Sequence, residues 1–307
     1  MESVELSGVI VPVFTPLDDD DRVDELAFRR VLRWLINAGV NALFVGGSAG
    51  VGPLLVASEW QRLMEIAADE MNGSLPLLGG AMDTSTQRIK EKIGFLAGLG
   101  YKYCVVTPSY YYTLQTPAEH LRLFSECAES SPGMTLIAYN IPSFTHSEIP
   151  VEIICMLARR GLIKYCKDSS NDLAYFRRLM VEGGPFGLKV FMGAEPLIAE
   201  ALLGGAAGIV PVCANLEPQT FIQAYQAGLR QDQSALKRLQ ERILGLRRNV
   251  IEAVPCWIAG VNTAMAILGF GSGKPISPLQ PLTAEEKQKL EVFMGAGFII
   301  EGEKYNK

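Results

Sequence analysis

Short apolar runs alternate with longer amphipathic stretches through about the first two-thirds of the chain. The amphipathic stretches, such as 24–35 and 58–66, place apolar residues at steps of three and four, which predicts helices. The apolar runs predict strands at Gly8–Phe14, Asn41–Gly46, Leu75–Gly79, Tyr103–Thr107, Thr135–Tyr139, Leu162–Cys166, Lys189–Met192 and Gly208–Val212. This alternation is typical of βα units around a parallel sheet. Eight strands favour a closed (β/α)8 TIM barrel, in the α/β class, over a flavodoxin-like sheet of about five.

The pattern changes after about residue 216, where the apolar spacing becomes helical throughout. The predicted helices cover 219–249, 256–268 and 283–294. Helices without strands of their own are expected to pack on the barrel. We therefore predict a single domain over 1–307, with a barrel core at 1–216 and a C-terminal helical extension at 217–307.

The charge balance argues against a polyanionic partner. The net charge is −5 and the pI is about 5.3, so no basic surface is expected to hold nucleic acid. The N-terminus lacks the basic start and apolar stretch of a signal peptide, and no run of about 18 uncharged apolar residues occurs, so no membrane partner is expected.

The cysteines and histidines do not suggest a metal site. The six cysteines are widely spaced and include no Cys-x-x-Cys pair, which is typical of a reducing compartment, and we expect a cytoplasmic protein. The two histidines are isolated in the sequence, and His120 is expected to be solvated or to cap a helix. We predict neither a metal nor an organic cofactor.

The predicted chemistry lies where the strands end, because catalytic side chains of such barrels come from the carboxyl ends of several strands. Lys167 ends the predicted sixth strand and Tyr139 the fifth. A lysine held in a dry interior as the neutral amine attacks keto groups, and a phenol at the rim transfers protons. Strand alternation places Cys166 on the opposite face from Lys167.

Two other strand ends carry unusual residues. The loop Gly46-Gly-Ser-Ala-Gly-Val-Gly follows the second strand, and its backbone N–H groups and the Ser48 hydroxyl would suit an anion. The loop has neither the third glycine of a dinucleotide site nor the lysine of a phosphate-binding loop. Three tyrosines, beginning at Tyr110, follow the fourth strand, and at least one is expected at a site or an interface.

Together these segments resemble the pyruvate-dependent class I aldolases, the superfamily of dihydrodipicolinate synthase and N-acetylneuraminate lyase. The likeness runs through Gly8-Val-Ile-Val-Pro-Val-Phe-Thr-Pro, Gly46-Gly-Ser-Ala-Gly, Thr107-Pro-Ser-Tyr-Tyr, Tyr139-Asn-Ile-Pro, Lys167-Asp-Ser-Ser and Gly204-Gly-Ala-Ala-Gly. It implies a TIM barrel, commonly a homotetramer, that acts without metal or cofactor on a small 2-oxo acid such as pyruvate.

The resemblance also implies roles for individual residues. Lys167 would form a Schiff base with the keto carbon, and Tyr139 would relay protons with Ser48 and with Tyr110 from a neighbouring subunit. The backbone of Gly47, Ser48, Ala49 and Gly50 would hold the substrate carboxylate. The remaining substrate contacts would be Phe144, Glu195 and Val210, with Glu195 near substrate hydroxyls.

Three departures separate the chain from the well-known members. Ala49 and Val51 replace a hydroxyl residue and a glutamate of the usual loop, which would remove one hydrogen bond to the carboxylate. Phe144 stands where dihydrodipicolinate synthases carry an arginine, so lysine biosynthesis is disfavoured. Val212 is apolar where N-acetylneuraminate lyases hold a polyhydroxy chain.

The resulting expectation is a lyase that reversibly splits a 2-oxo acid, such as a 2-keto-3-deoxy sugar acid or a 4-hydroxy-2-oxo acid, into pyruvate and an aldehyde. A dehydratase acting through the same imine is the close alternative. An activity like that of N-acetylneuraminate lyase or dihydrodipicolinate synthase, and a weakened homologue that only binds a 2-oxo acid, are further alternatives.

Overall fold

The computed structural model describes residues 5–297 as a closed barrel of eight parallel strands, in which each strand pairs with the next and β8 pairs with β1. The strands are β1 Gly8–Pro12, β2 Ala42–Val45, β3 Leu77–Gly80, β4 Tyr103–Val106, β5 Thr135–Asn140, β6 Tyr165–Asp168, β7 Lys189–Met192 and β8 Gly208–Ile209. The predicted (β/α)8 TIM barrel is confirmed.

Helices surround the barrel and extend it at the C-terminal end. They are α1 Glu25–Ala38, α2 Ala57–Met71, α3 Thr86–Gly98, α4 Pro117–Glu129, α5 Pro142–Thr145, α6 Val151–Arg159, α7 Leu173–Gly183, α8 Ile198–Leu203, α9 Pro218–Leu229, α10 Gln233–Arg247, α11 Trp257–Ile267 and α12 Ala284–Gly297. A π-helical turn, Arg248–Glu252, follows α10 directly.

Strand alternation divides the core into two layers. Ile10, Phe44, Ile137, Tyr165 and Phe191 belong to the buried cluster inside the barrel. Their neighbours along the strands, such as Val9, Val11, Ala138 and Cys166, belong to the larger cluster between sheet and helices. The inner face is therefore filled by bulky side chains, and the chemistry is confined to the ends of the strands.

The sixth strand differs from its prediction. It begins at Tyr165 and continues through Asp168, so Lys167 lies inside the strand and does not close it. Leu162 and Ile163 precede the strand. The Leu162 N–H donates to the Leu157 carbonyl in the turn that follows α6, where Gly161 adopts a φ of +70°, and both side chains pack between sheet and helices. Their apolar side chains gave the signal of a strand.

The eighth strand is also shorter than predicted. It ends at Ile209, and Pro211, which has no N–H to donate to a strand ladder, precedes a short 3-10 turn at Val212–Asn215. The helices predicted after residue 216 are present from Pro218 onward. The single domain over 1–307 stays a prediction, and residues 1–4 and 298–307 lie outside the described residues.

His120 was expected to be solvated or to cap a helix, and this was wrong. Thr116 caps α4 in a reciprocal capping box with Glu119. His120 lies one position further, on the buried face of the helix, where its Nε2 is 3.0 Å from the Ser147 hydroxyl. Burial lowers the pKa of His120.

No single helix between residues 5 and 297 is long and apolar enough to cross a membrane. One bent pair, Gln233–Glu252 with Trp257–Ile267, meets the length and composition requirements together, with an angle of 110° between its two parts.

Candidate active site

Lys167 and Tyr139 are directly paired across β5 and β6, and both point into the barrel. The Lys167 Nζ lies 3.8 Å from the centre of the Tyr139 ring and 5.2 Å from that of Phe44. The lysine is 6% exposed. Within the described part of the chain, neither its Nζ nor the Tyr139 hydroxyl makes a hydrogen bond, so both groups are available to a ligand.

The next residues along both strands hold this pair in register. Asn140 pairs with Asp168, and its Nδ2 donates to the Asp168 carboxylate at 2.8 Å. The Asn140 Oδ1 accepts from the Ile149 N–H at 3.0 Å, and Ser170 donates to Asp168 through its N–H and its hydroxyl. Burial raises the pKa of Asp168 to about 6, against the lowering effect of these hydrogen bonds.

A glycine leaves room for the lysine. A Cβ placed on Gly193, directly after β7, would lie 2.1 Å from the Ser169 hydroxyl, 3.0 Å from the Lys167 Cε and 3.1 Å from the Asp168 carbonyl. Contacts under 3.0 Å essentially never occur for real side chains, so the Ser169 hydroxyl would have to turn away, and Lys167 would have to shift by a few tenths of an ångström. Any larger residue at position 193 would displace Lys167 or its neighbours.

The loop after β2 is tightly folded. Val51 adopts a φ of +49°, which is unusual for a β-branched residue, and the Thr15 hydroxyl donates to the Gly50 carbonyl at 2.7 Å. Ser48 and Ala49 line the cavity, whereas Gly47 and Gly50 do not. The N–H groups of Ser48, Ala49 and Gly50 donate to no acceptor among residues 5–297.

The cavity at the carboxyl end of the barrel has a volume of about 410 Å³. Among the predicted residues, its lining includes Lys167, Tyr139, Ser48, Ala49, Phe144, Glu195 and Val210, together with Val212. These residues come from loops and strands far apart in sequence, and the barrel brings them together. A pocket of this size is suitable for a small organic acid.

Glu195 reaches the cavity wall but is almost wholly buried, at 1% exposure. Its Oε1 accepts from the Cys213 N–H at 2.7 Å, which ties the loop after β7 to the one after β8. Its Oε2 accepts no hydrogen bond and lies 3.7 Å from a terminal nitrogen of Arg247. Burial raises the pKa of Glu195 above its ordinary value and is the largest influence on it.

Tyr110 does not line the cavity of its own chain. It packs, half-buried, against the cluster inside the barrel, and burial raises its pKa to about 12, with a further contribution from Asp83. The next two residues differ from it, since Tyr111 is 83% exposed and Tyr112 is 80% exposed. The relay role of Tyr110 across a subunit boundary stays a prediction.

Several lining residues were not predicted from the sequence. They are Pro12, Ile141, Ser143, Ser169, Ser170, Asn171, Ala194, Pro196, Arg247, Ile251 and Trp257, besides Gly193. Arg247, Ile251 and Trp257 come from the C-terminal helices, where their spacing is that of ordinary amphipathic segments. Ser169 and Ser170 follow Lys167 directly, and their position beside the lysine was the one available signal.

No group of three or more His, Cys, Asp or Glu side chains in residues 5–297 is arranged to hold a metal ion.

Comparison with known proteins agrees with this architecture. The sequence profile of the Dihydrodipicolinate synthetase family matches residues 5–296. An uncharacterised DapA-like lyase of Halobacterium salinarum is 30% identical over 288 residues, covering 93% of this chain and 92% of the relative. A 4-hydroxy-tetrahydrodipicolinate synthase of Methanopyrus kandleri is 29% identical over 290 residues, with 93% and 94% covered.

The solved structures agree as well. The dihydrodipicolinate synthase of Bacteroides thetaiotaomicron has a TM-score of 0.90 at 27% identity and covers 96% of this chain and 99% of its own. YagE of E. coli K12, solved in complex with pyruvate, has a TM-score of 0.89 at 23% identity, with 95% and 99% covered. The low identity to synthases fits the expectation that this chain is not itself a dihydrodipicolinate synthase. The chain belongs to the Dihydrodipicolinate synthetase family.

Proposed function

We propose that the protein is a Schiff-base lyase, a class I aldolase that reversibly cleaves a 2-oxo acid to pyruvate and an aldehyde. The observation that carries the proposal is the buried amine of Lys167, which faces the Tyr139 ring and has no hydrogen bond or ion pair in the described chain. An amine that no other group holds can reach the keto carbon of a bound acid, and the free amine is the nucleophile in imine formation.

The chemistry follows from this arrangement. The amine adds to the keto carbon, and loss of water gives an imine whose protonated form accepts the electron pair released when the C3–C4 bond breaks. The proton of the C4 hydroxyl must leave as the aldehyde forms, and Tyr139, whose ring centre lies 3.8 Å from the amine, is the proposed acceptor. Protonation of the resulting enamine at C3 and hydrolysis then release pyruvate and restore the lysine.

The loop after β2 supports binding of the carboxylate next to the keto group. Ser48 and Ala49 lie on the cavity wall, and free backbone N–H groups in a tight loop attract anions. Ala49 has no hydroxyl to add, which would cost about 1 kcal/mol of binding free energy relative to a hydroxyl residue. The cradle proposed here is therefore Ser48 and Ala49, and Gly47 and Gly50 shape the turn without lining the cavity.

An imine at Lys167 would serve a dehydratase equally well, because elimination of water at C3 and C4 needs the same electron sink and the same proton carrier. The products distinguish the two activities, since an aldolase yields an aldehyde and pyruvate and a dehydratase yields a deoxygenated oxo acid. A homologue that only binds 2-oxo acids would need no unpartnered amine. We also propose, from the family resemblance, that the protein works as a homotetramer.

The decisive experiment is reduction with borohydride in the presence of pyruvate, followed by peptide mass spectrometry. The expected result is a pyruvyl adduct on Lys167 that is lost in Lys167→Ala. The matched control is Lys164→Ala, because Lys164 lies three residues earlier and forms an ion pair with Glu5 at 3.1 Å. An absence of adduct at saturating pyruvate, or an adduct that survives Lys167→Ala, would reject the imine.

A further inference from the structure

A single arginine from the C-terminal helices reaches the cavity. Arg247 is the last residue of α10, directly before the π-helical turn Arg248–Glu252, and its side chain is 29% exposed. The Nε donates to the Glu252 carboxylate at 2.7 Å. Neither terminal nitrogen is within hydrogen-bond distance of an acceptor in residues 5–297, and one forms a long ion pair with the Glu195 Oε2 at 3.7 Å, so their N–H groups still have room for a ligand.

The charge of this guanidinium is only partly balanced by its neighbours. Glu252 is half-exposed, where solvent screens an ion pair. Glu195 is the other acid nearby, but its Oε2 is 3.7 Å from Arg247, beyond hydrogen-bond distance. Burial raises the pKa of Glu195, whereas Arg247 acts to lower it. A ligand anion would complete the pairing.

The rest of the wall directs an anion to this position. Among the described lining residues, Lys167 and Arg247 are the two cationic side chains, and Lys167 is used by the imine. Phe144 and Trp257, which meet edge to face with ring centres 6.4 Å apart, add apolar surface to the same cavity. A guanidinium and a carboxylate form a charge-assisted, often bidentate pair.

We propose that Arg247 binds a second carboxylate at the far end of the substrate, so that the preferred substrates are 2-oxo acids with two carboxylates. The first carboxylate and the keto group lie at Ser48, Ala49 and Lys167, and the second lies at the guanidinium. This assignment rests on the proposed imine for the position of the keto group. It narrows the substrate class to diacids.

The test uses pairs of 2-oxo acids that differ only in the far group. 2-Oxoglutarate is compared with 2-oxopentanoate, and 2-oxoadipate with 2-oxohexanoate, by the concentration that gives half-maximal borohydride trapping on the full-length protein. We expect the diacid of at least one pair to be trapped at about tenfold lower concentration, the usual size of a charged hydrogen bond. Arg247→Met removes that preference, and pyruvate trapping is unchanged.

The control is Arg248→Met, which removes the same charge from an exposed neighbour outside the cavity lining and is expected to keep the preference. Equal trapping of diacids and monoacids by the wild type, or a preference that persists in Arg247→Met, would overturn the proposal. An equal loss for pyruvate, monoacids and diacids in Arg247→Met would also overturn it, since it would show a purely structural role.

The two proposals fail in different ways. If pyruvate is not trapped at all, the imine is wrong, and the arginine is then tested by calorimetry, which needs no covalent bond. Tighter binding of 2-oxoadipate than of 2-oxohexanoate, lost in Arg247→Met, would still support the carboxylate site. Equal binding of the two acids would reject it.

Discussion

The position of Lys167 depends on the absence of a side chain at residue 193. A Cβ on Gly193 would stand 2.1 Å from the Ser169 hydroxyl and 3.0 Å from the Lys167 Cε. Rotation of the serine hydroxyl relieves the first contact, but the second requires the lysine itself to move. The position of the reactive lysine therefore depends on a glycine, which has no functional group, and for this reason the sequence alone did not identify it.

We predict that Gly193→Ala slows the trapping of pyruvate on Lys167 by about tenfold, since small displacements of reacting groups have large effects on rate. The measurement is the rate of adduct formation at fixed pyruvate, with circular dichroism to establish that the barrel is folded. Gly94→Ala is the matched control, because nothing lies within 4 Å of a Cβ at that position in α3. Alanine there should stabilise the helix by about 0.5–1 kcal/mol. If Gly193→Ala forms the adduct at the wild-type rate, the prediction is wrong, and residue 193 does not confine Lys167.

At the scale of elements, β5 and β6 act as one unit. Tyr139 and Lys167 face the barrel interior, and the next pair, Asn140 and Asp168, faces the helices. The hydrogen bond between Asn140 and Asp168 fixes the register of the strands. A slip of one residue would turn both functional side chains away from the cavity.

This unit gives a prediction for stability against pH. The pKa of Asp168 is raised to about 6 from an ordinary value of 3.8, so between these values the folded protein binds the proton more tightly than the unfolded chain does. Asp168 therefore lowers stability as the pH rises from about 4 to 6. A shift of about two pH units corresponds to about 3 kcal/mol.

Asp168→Asn keeps an acceptor for Asn140 and removes the titration. We expect the free energy of unfolding of this variant to increase, relative to that of the wild type, by about 3 kcal/mol between pH 4 and pH 7, because only the wild type loses stability over this range. Denaturant unfolding at several pH values measures it. Asp172→Asn, at the exposed N-cap of α7, is the matched control for the same substitution outside β6. A constant difference between Asp168→Asn and wild type would contradict the prediction.

Comparison of the observed strands with the predicted ones shows which features of the fold the sequence alone could predict. The alternation of apolar runs and amphipathic stretches was sufficient to predict all eight strands and the barrel. The predicted boundaries of β6 were wrong because Leu162 and Ile163 are apolar where they pack between sheet and helices outside the strand, and a single sequence does not separate this cause from a strand. The opposite directions of Cys166 and Lys167 were as predicted, since they depend on alternation alone: Cys166 belongs to the outer cluster and Lys167 lines the cavity.

At the scale of the whole molecule, the C-terminal helices complete the cavity wall. Arg247, Ile251 and Trp257 all lie beyond residue 216, where the sequence predicted helices packed on the barrel and assigned them no chemistry. Their position in the cavity wall depends on how α10 and α11 are joined. The chain bends by 110° between Gln233–Glu252 and Trp257–Ile267, directly after the π-helical turn Arg248–Glu252. Turns of this kind are frequent at functional sites.

The surface near Tyr110 has features expected of a contact between subunits. Tyr111 and Tyr112 are strongly exposed and meet edge to face with ring centres 5.1 Å apart, and Tyr111 adopts a φ of +74°. Strained, exposed aromatic residues are uncommon unless a partner covers them. If the protein forms the proposed homotetramer, we expect these two rings to contact the neighbouring subunit on this face, since tyrosine is favoured at interfaces.

We predict that the double variant Tyr111→Ser, Tyr112→Ser shifts the protein toward smaller species in sedimentation velocity experiments. Loss of two buried aromatic anchors typically weakens an interface by several kcal/mol. Leu26→Ser is the control, because Leu26 is equally exposed but lies on α1. An unchanged sedimentation profile, or an equal effect of Leu26→Ser, would separate these tyrosines from assembly.

The same interface determines whether the site is shared between subunits. Mixing Tyr110→Phe with Lys167→Ala subunits should restore part of the lyase activity if Tyr110 acts across a boundary, because a mixed assembly then contains intact combinations. Tyr110 is half-buried against its own barrel, so the alternative is that it supports the loop that carries Tyr111. In that case the mixture shows no more activity than its components, while Tyr111→Phe mixed with Lys167→Ala gives the recovery, and the relay would be assigned to Tyr111.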